Sequence, residues 1–300
     1  IDSTLMMHYA RRHQPDMPGY IIASRDAPDI RYARHYADMT GLDMREIPFE
    51  AQSAETLPLL ETVAAVAEAF EPAIVRPALY GYLISRRIHQ DGYRVALCGE
   101  GADELFAGYG PLEHVFAQSN ALGRNVQEQC LSMMHRANLQ RVDRCSMRFE
   151  LEIREPFLDL ALVEYACGLD ASALLKTVDG LARGKQPLRA IYDLYPDALP
   201  ALIRDRRKIQ FDEGAGIASE EAGWSALFED AVTDGELQDG KKEFAGFDIV
   251  SKEELFYLRA LSRGMDVSRV SHLKSRTRLY VPQNTEAMPE AMKKLRPAGA

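Results

Sequence analysis

The chain of 300 residues contains no apolar run approaching the ~18 to 20 residues that cross a bilayer, and its first residues carry no signal-peptide pattern. No membrane is therefore expected as a partner, and a cytoplasmic location is. Cysteine is scarce: Cys98, Cys130, Cys145 and Cys167 form no C-x-x-C pair and keep no regular spacing, so reduced thiols are expected rather than a disulfide framework. None of the seven histidines falls in an H-x-x-x-H or H-E-x-x-H pattern, which argues against zinc. Positive charge is also short. Lys and Arg number 36 against 45 Asp and Glu, and the net charge of −9 disfavours a chain built to grip nucleic acid. The sequence has no G-x-x-x-x-G-K-[ST] and no G-x-S-x-G, which removes P-loop kinases and the nucleophile-elbow hydrolases. Internal repeats and low-complexity tracts are absent as well.

What remains is ample for a core. The 46% hydrophobic content is ordinary for a globular protein, and the length suits two domains or one large domain with a helical extension. Up to Tyr109, helix-like and strand-like segments alternate: helix Ser3–His13, strand Gly19–Ala23, amphipathic helix Asp29–Thr40 capped by Gly41, strand Asp43–Phe49, helices Thr56–Phe70 and Ala78–Gln90, strand Tyr93–Leu97. Such alternation predicts a parallel sheet covered on both faces, with ligands outside the carboxyl ends of its strands. Beyond Tyr109 helices dominate, over Arg124–Arg148, Leu160–Gly168, Pro187–Tyr195 and Lys252–Arg263. A change of character is placed near 110 to 120, and Pro282–Ala300 is expected to be a loosely ordered tail.

The most informative stretch follows the strand at Tyr93–Leu97. Cys98-Gly99-Glu100-Gly101-Ala102-Asp103-Glu104-Leu105-Phe106-Ala107-Gly108-Tyr109 sets three carboxylates among three glycines. Glycines let backbone approach a ligand closely or take positive φ. The carboxylates would repel a bare phosphate, so a triphosphate here needs a divalent cation between them, which points to ATP with Mg2+. A dinucleotide cradle is disfavoured, because Glu104 stands where G-x-G-x-x-G needs its third glycine.

This run resembles the S-G-E-G-A-D-E-L-F-G-G-Y signature of asparagine synthetases at ten of twelve positions, with Cys98 for Ser and Ala107 for Gly. Other segments match the same family. Ile1-Asp2-Ser3 resembles the end of its S-G-G-x-D-S pyrophosphate loop, as if upstream residues were missing. Ile22 precedes Ala27-Pro28-Asp29-Ile30 much as in the family's S-P-D-L segment. Asp143-Arg144 and Glu152–Asp159 resemble D-R-x-x-M and E-x-R-x-P-F-L-D, where Arg154 and Asp159 are read as scaffolding. Lys185–Arg189 and Arg206–Phe211 resemble K-x-x-L-R and R-x-K-x-x-F.

The resemblance implies an adenine-nucleotide α-hydrolase-like (PP-loop ATP pyrophosphatase) α/β fold: an ATP-binding part over 1–115, a helical part over 116–281 and a tail over 282–300, with no N-terminal glutaminase domain in this sequence. It further implies that a carboxylate, aspartate by the family's example, attacks ATP to give an acyl-adenylate and pyrophosphate. Ammonia, from a glutaminase domain or a partner, then displaces AMP. Asp2 and Asp103 are the implied magnesium ligands. Asp2, Ser3, Ile22, Cys98, Gly99, Lys185 and Lys208 are implied at ATP, with Ile22 equally readable as a buried strand residue. Glu100 is the implied proton handler and Lys208 steadies the departing pyrophosphate, while Glu104 either assists the metal or caps the following helix. A homodimer is compatible with this reading. Two other readings stand beside it: a cyclising enzyme of the lasso-peptide type, whose nucleophile is a substrate amine, and a catalytically inactive scaffold of the same fold.

Overall fold

The computed structural model describes residues 1–24, 27–51, 53–207, 224–270 and 273. Helices α1 (Asp2–Arg11) and α2 (Pro28–Thr40) flank strand β1 (Gly19–Ala23), which pairs in parallel with β2 (Met44–Pro48) in the register Ile22 to Ile47. Pro28 opens α2, where a missing N–H is harmless, and Gly41 closes it in the left-handed region at φ 62°. After α3 (Thr56–Ala67) and α4 (Pro72–Gln90) comes β3 (Val95–Leu97), paired in parallel with β4 (Glu152–Arg154). Between them lie α5 (Ala102–Leu105), α6 (Gly110–Gln118), α7 (Asn120–Met133) and α8 (Asn138–Met147).

The chain continues through α9 (Leu160–Cys167), α10 (Ala171–Leu174) and the antiparallel hairpin β5 (Lys176–Val178) and β6 (Leu181–Arg183). The hairpin turns at Asp179-Gly180, both at positive φ, as a two-residue turn of this twist requires. Then follow α11 (Gln186–Leu194), α12 (Ala201–Arg204), α13 (Trp224–Ala231), α14 (Asp234–Glu243) and α15 (Lys252–Ser262). No helix among the described residues is long and apolar enough to cross a membrane.

The architecture is α/β with a large helical excess. The expected continuous parallel sheet is not what the described residues form; β1–β2 and β3–β4 are separate parallel pairs. Val95 and Leu97 stay 43% and 39% exposed on β3, so that short strand is not covered on both faces as a fully buried parallel strand would be. Two further expectations need correction. The helix expected over Ala78–Gln90 starts at Pro72 and carries Pro77 inside it, at the loss of one N–H donor. The helix expected over Arg124–Arg148 is two helices, interrupted between Met133 and Asn138 without a breaker residue. Tertiary contact overrides propensity there, since Asn138 starts α8 with its amide held by two carboxylates.

Two apolar clusters hold the molecule together. One gathers α3, α4 and α15 around Leu60, Leu79, Tyr80 and Leu258. The other lies beneath the turn after β3, around Leu105, Phe106, Phe116, Leu188 and Tyr192. An ion pair between a half-buried guanidinium and a buried carboxylate ties α15 to α4: Arg76 donates twice to Glu253, at 2.8 and 2.6 Å, while Trp224 and Tyr257 donate to the same carboxylate at 3.2 and 2.8 Å. Removing one partner of such a pair leaves a charge in the interior, which costs far more than the pair itself contributes. Arg76→Met should therefore lower stability by about 3 kcal/mol or more in urea unfolding. An unchanged midpoint would show that Glu253 is satisfied by Trp224 and Tyr257 alone.

Candidate active site

Three close approaches assemble the site. A Cβ on Gly99 would stand 2.9 Å from Asp2 Cβ and 3.3 Å from Ser3 N, so the turn after β3 lies against the start of α1. Gly101 sits at φ 93°, and a Cβ there would meet Leu158 Cδ2 at 2.4 Å. Only glycine fits that combination of backbone and space. The start of α1 is held in turn by Tyr192 on α11, whose hydroxyl donates to the Ile1 carbonyl at 2.9 Å.

The third approach brings in the turn between β6 and α11. A Cβ on Gly184 would fall 1.7 Å from the Ala107 carbonyl oxygen, and one on Gly108 would fall 2.3 Å from Lys185 Cε. The Lys185 N–H donates to the Phe106 carbonyl at 2.7 Å, with Lys185 itself at φ 59°. Its side chain then runs inward, 4% exposed, and Nζ lies 2.5 Å from Asp2 Oδ2 and 2.7 Å from Asp103 Oδ1. Residues 2, 103 and 185 thus meet at a single cation.

Beside this triad lies a second acidic group. Glu100 accepts from Arg141 Nη2 at 2.7 Å and from Asn138 Nδ2 at 2.8 Å, both on α8. Asn138 Nδ2 also reaches Glu104 Oε1 at 3.1 Å, and the Tyr109 hydroxyl donates to the same oxygen at 2.6 Å. Glu104 is 2% exposed. Burial, reinforced by the charges of Asp103 and Glu100, pushes its carboxyl up to about 7 against the lowering pull of the Tyr109 hydrogen bond. Burial likewise pushes the Cys98 thiol up to about 12, so that side chain is a neutral thiol at physiological pH. Gln127 closes the floor by donating to the carbonyls of Glu104 and Leu105 at 3.1 and 2.8 Å.

Of the residues singled out in the sequence, Asp2, Ser3, Gly99, Asp103 and Lys185 surround one spot, with Cys98 and Glu100 on the adjoining turn. Ile22 is 3% exposed inside the first apolar cluster. Lys208 lies outside the described residues, as do Gln210 and Phe211 of its segment and the tail over 282–300. Glu104 accepts two side-chain hydrogen bonds inside the acidic group, and α6, the helix that follows, has no side-chain cap. Arg154 pairs with Glu152 on the surface, and Asp159 caps α9 through the Ala161 N–H. Among the described residues no three His, Cys, Asp or Glu side chains gather as a metal-binding group. The Asp2 and Asp103 carboxylates nevertheless fit a divalent cation as a pair: they already converge on one positive charge, and Asp2 Oδ1 is buried with no hydrogen-bond partner among the described residues.

Three participants were not picked out from the sequence. Asn138 and Arg141 carry no motif of their own, although they stand three apart on one helical face. Arg189 was visible only as the last letter of K-x-x-L-R. Buried on α11, it donates to the carbonyls of Gly184 at 2.9 Å, Arg206 at 3.2 Å and Arg204, and so fastens the segment leading to residue 208 beside the Lys185 turn.

A family described as asparagine synthase matches this chain over residues 1–129 and 113–288. Among curated proteins, a glutamine-hydrolysing asparagine synthetase of Saccharomyces cerevisiae is 31% identical over 246 residues, covering 80% of this chain and 42% of that protein. One from Brassica oleracea is 29% identical over 69% of this chain and 35% of its own length, and one from Lotus japonicus 26% identical over 87% and 45%. The chain spans less than half the length of these relatives.

The raised Glu104 carboxyl has a consequence for stability. Its folded-state value of about 7 exceeds the ordinary 4.5, so folding favours the protonated form. The contribution is full below about pH 4.5 and is lost as pH rises through about 7, by roughly 3 kcal/mol at most. Glu104→Gln keeps an acceptor for Tyr109 and Asn138 without the charge. It should unfold at higher urea than the parent at pH 8, with little difference at pH 4.5. Equal shifts at both pH values would contradict a buried, proton-holding Glu104.

Proposed function

Because the chain belongs to the asparagine synthase family, we propose that it forms the synthetase part of an ATP-dependent, AMP-forming amide ligase. The reading includes the PP-loop pyrophosphatase arrangement, with nucleotide-binding residues in 1–115, a helical part over 116–281 and the tail beyond it. The convergence of Asp2 and Asp103 on one cation, beside a turn whose glycines admit no side chain, is the observation that carries it.

The chemistry proposed has two steps. An oxygen of the substrate carboxylate, aspartate by the family's name, attacks the α-phosphorus of ATP, and the bond to pyrophosphate breaks. The nitrogen of ammonia then attacks the carbonyl of the acyl-adenylate, and AMP leaves with the bonding pair. Asp2 and Asp103 would hold Mg2+, which screens the phosphate charge when bound. The first N–H groups of α1, at Asp2, Ser3 and Thr4, have no intrahelical partner and offer donors to phosphate oxygens. Gly99 leaves the backbone free to approach the nucleotide, with the Cys98 thiol on the same turn and Ile22 under the adenine. Lys185 and Lys208 supply positive charge where pyrophosphate departs, Lys185 from the buried position described above.

Glu100 handles the proton of the incoming nitrogen. Asn138 and Arg141 fix its two oxygens, so the carboxylate reaches the amine without losing rotamer freedom at the moment of reaction. Ammonia would come from a glutaminase domain or a partner.

Aspartate labelled with oxygen-18 in its side-chain carboxylate tests the reaction itself. With ATP, Mg2+ and ammonium, one labelled oxygen should appear in AMP, and label confined to inorganic phosphate would exclude an acyl-adenylate. For Glu100→Gln, carboxylate-dependent exchange of pyrophosphate into ATP should stay within ~3-fold of the parent while amide formation falls ~100-fold or more. Equal loss of both would remove Glu100 from proton transfer.

A further inference from the structure

Lys185 stands where a divalent cation held by Asp2 and Asp103 would stand. Nζ is within 2.7 Å of an oxygen of each, and the side chain is 4% exposed, so water screens this group poorly. Two carboxylates and one ammonium sum to a single negative charge. Adding a divalent cation reverses that sign and sets the ion against an ammonium at contact distance.

The ammonium is not free to drift out into solvent. Lys185 is anchored at its backbone to Phe106 and starts its side chain from the left-handed region at the mouth of α11. Gly108 and Gly184 pack against Lys185 Cε and the Ala107 carbonyl with no room for a β-carbon. The side chain is therefore enclosed along its length, and only its tip can turn.

Resting on the function proposed above, we infer that Lys185 is a built-in counter-cation that keeps a free divalent metal off Asp2 and Asp103 until a polyphosphate arrives. A triphosphate brings about four negative charges and a second set of acceptors within reach of Nζ. The ammonium turns to a phosphate oxygen, which would leave carboxylate oxygens of Asp2 and Asp103 to hold the ion. Asp2 Oδ1, buried and without a hydrogen-bond partner among the described residues, would offer the ion a further acceptor once the nucleotide is in place. The metal would thus enter as a companion of the nucleotide, and until then Lys185 spares the two carboxylates from facing each other unpaired.

The probe is Mn2+ alone, titrated into the protein without nucleotide and followed by the paramagnetic resonance signal of the free ion. The parent should show no saturable site below ~1 mM, and Lys185→Met should bind one Mn2+ at least ~10-fold more tightly. In Asp2→Asn combined with Lys185→Met the gain should disappear. Equal affinity of parent and Lys185→Met would overturn the inference. Should Lys185→Met fail to give a native circular-dichroism spectrum, the parent decides: one tight Mn2+ per chain without nucleotide overturns it, and uptake only after adding pyrophosphate upholds it. Pyrophosphate release with ATP and aspartate reads the proposed function separately, so turnover with tight nucleotide-free Mn2+ binding would sink this inference and leave that reading standing.

Discussion

One buried ammonium organises this molecule. Lys185 connects the first turn of α1, the short helix after β3 and the turn before α11, three segments with no covalent reason to be near one another. Two carboxylates facing each other in a poorly hydrated place would repel, and a lone ammonium there would lose its hydration without return. Together they satisfy one another. The geometry also explains the glycines at 99, 108 and 184, each of which lets two backbones or a backbone and this side chain come closer than a β-carbon allows.

The second acidic group completes the picture. Glu100 and Glu104 sit in the same turn yet have different environments: Glu100 meets a guanidinium, while Glu104 meets a phenol and an amide and is pushed toward neutrality. Two carboxylates close together can play separate parts when their surroundings differ. Asn138 donates to both, so α8 reports the position of one to the other. The break between α7 and α8 is what brings Asn138 and Arg141 to bear on this turn.

Much of this was legible in the sequence, and for a definite reason. The turn from Cys98 to Tyr109 is local: its glycines, its acids and the preceding strand lie in one stretch, so residue type alone specifies what the backbone does. The Gly41 end of α2 was visible for the same reason, and its start, read at Asp29, falls one residue after the Pro28 that opens the helix. Lys185 was visible as a basic residue near phosphate chemistry, but its pairing with Asp2 and Asp103 spans 183 and 82 residues and leaves no local mark. Arg189 looked like the end of a motif and is a clamp on backbone carbonyls. The Asp179-Gly180 hairpin, by contrast, carried a turn signal between short apolar runs that the helical character of the surrounding sequence obscured.

Seen this way, the departures from the family pattern acquire physical meaning. Ala107, where the family signature has glycine, holds a left-handed backbone at φ 53° in a fully buried place, and its carbonyl is the atom that excludes a side chain at Gly184. Cys98, in place of serine, remains a neutral thiol beside the turn. Neither change disturbs the convergence on Lys185. The most direct test of that convergence is anomalous diffraction from crystals grown with Mn2+ and a non-hydrolysable ATP analogue. The account predicts a manganese peak within coordination distance of carboxylate oxygens of Asp2 and Asp103, with the Lys185 ammonium turned to a phosphate oxygen. Manganese bound elsewhere, with Lys185 still bridging the two aspartates, would contradict it.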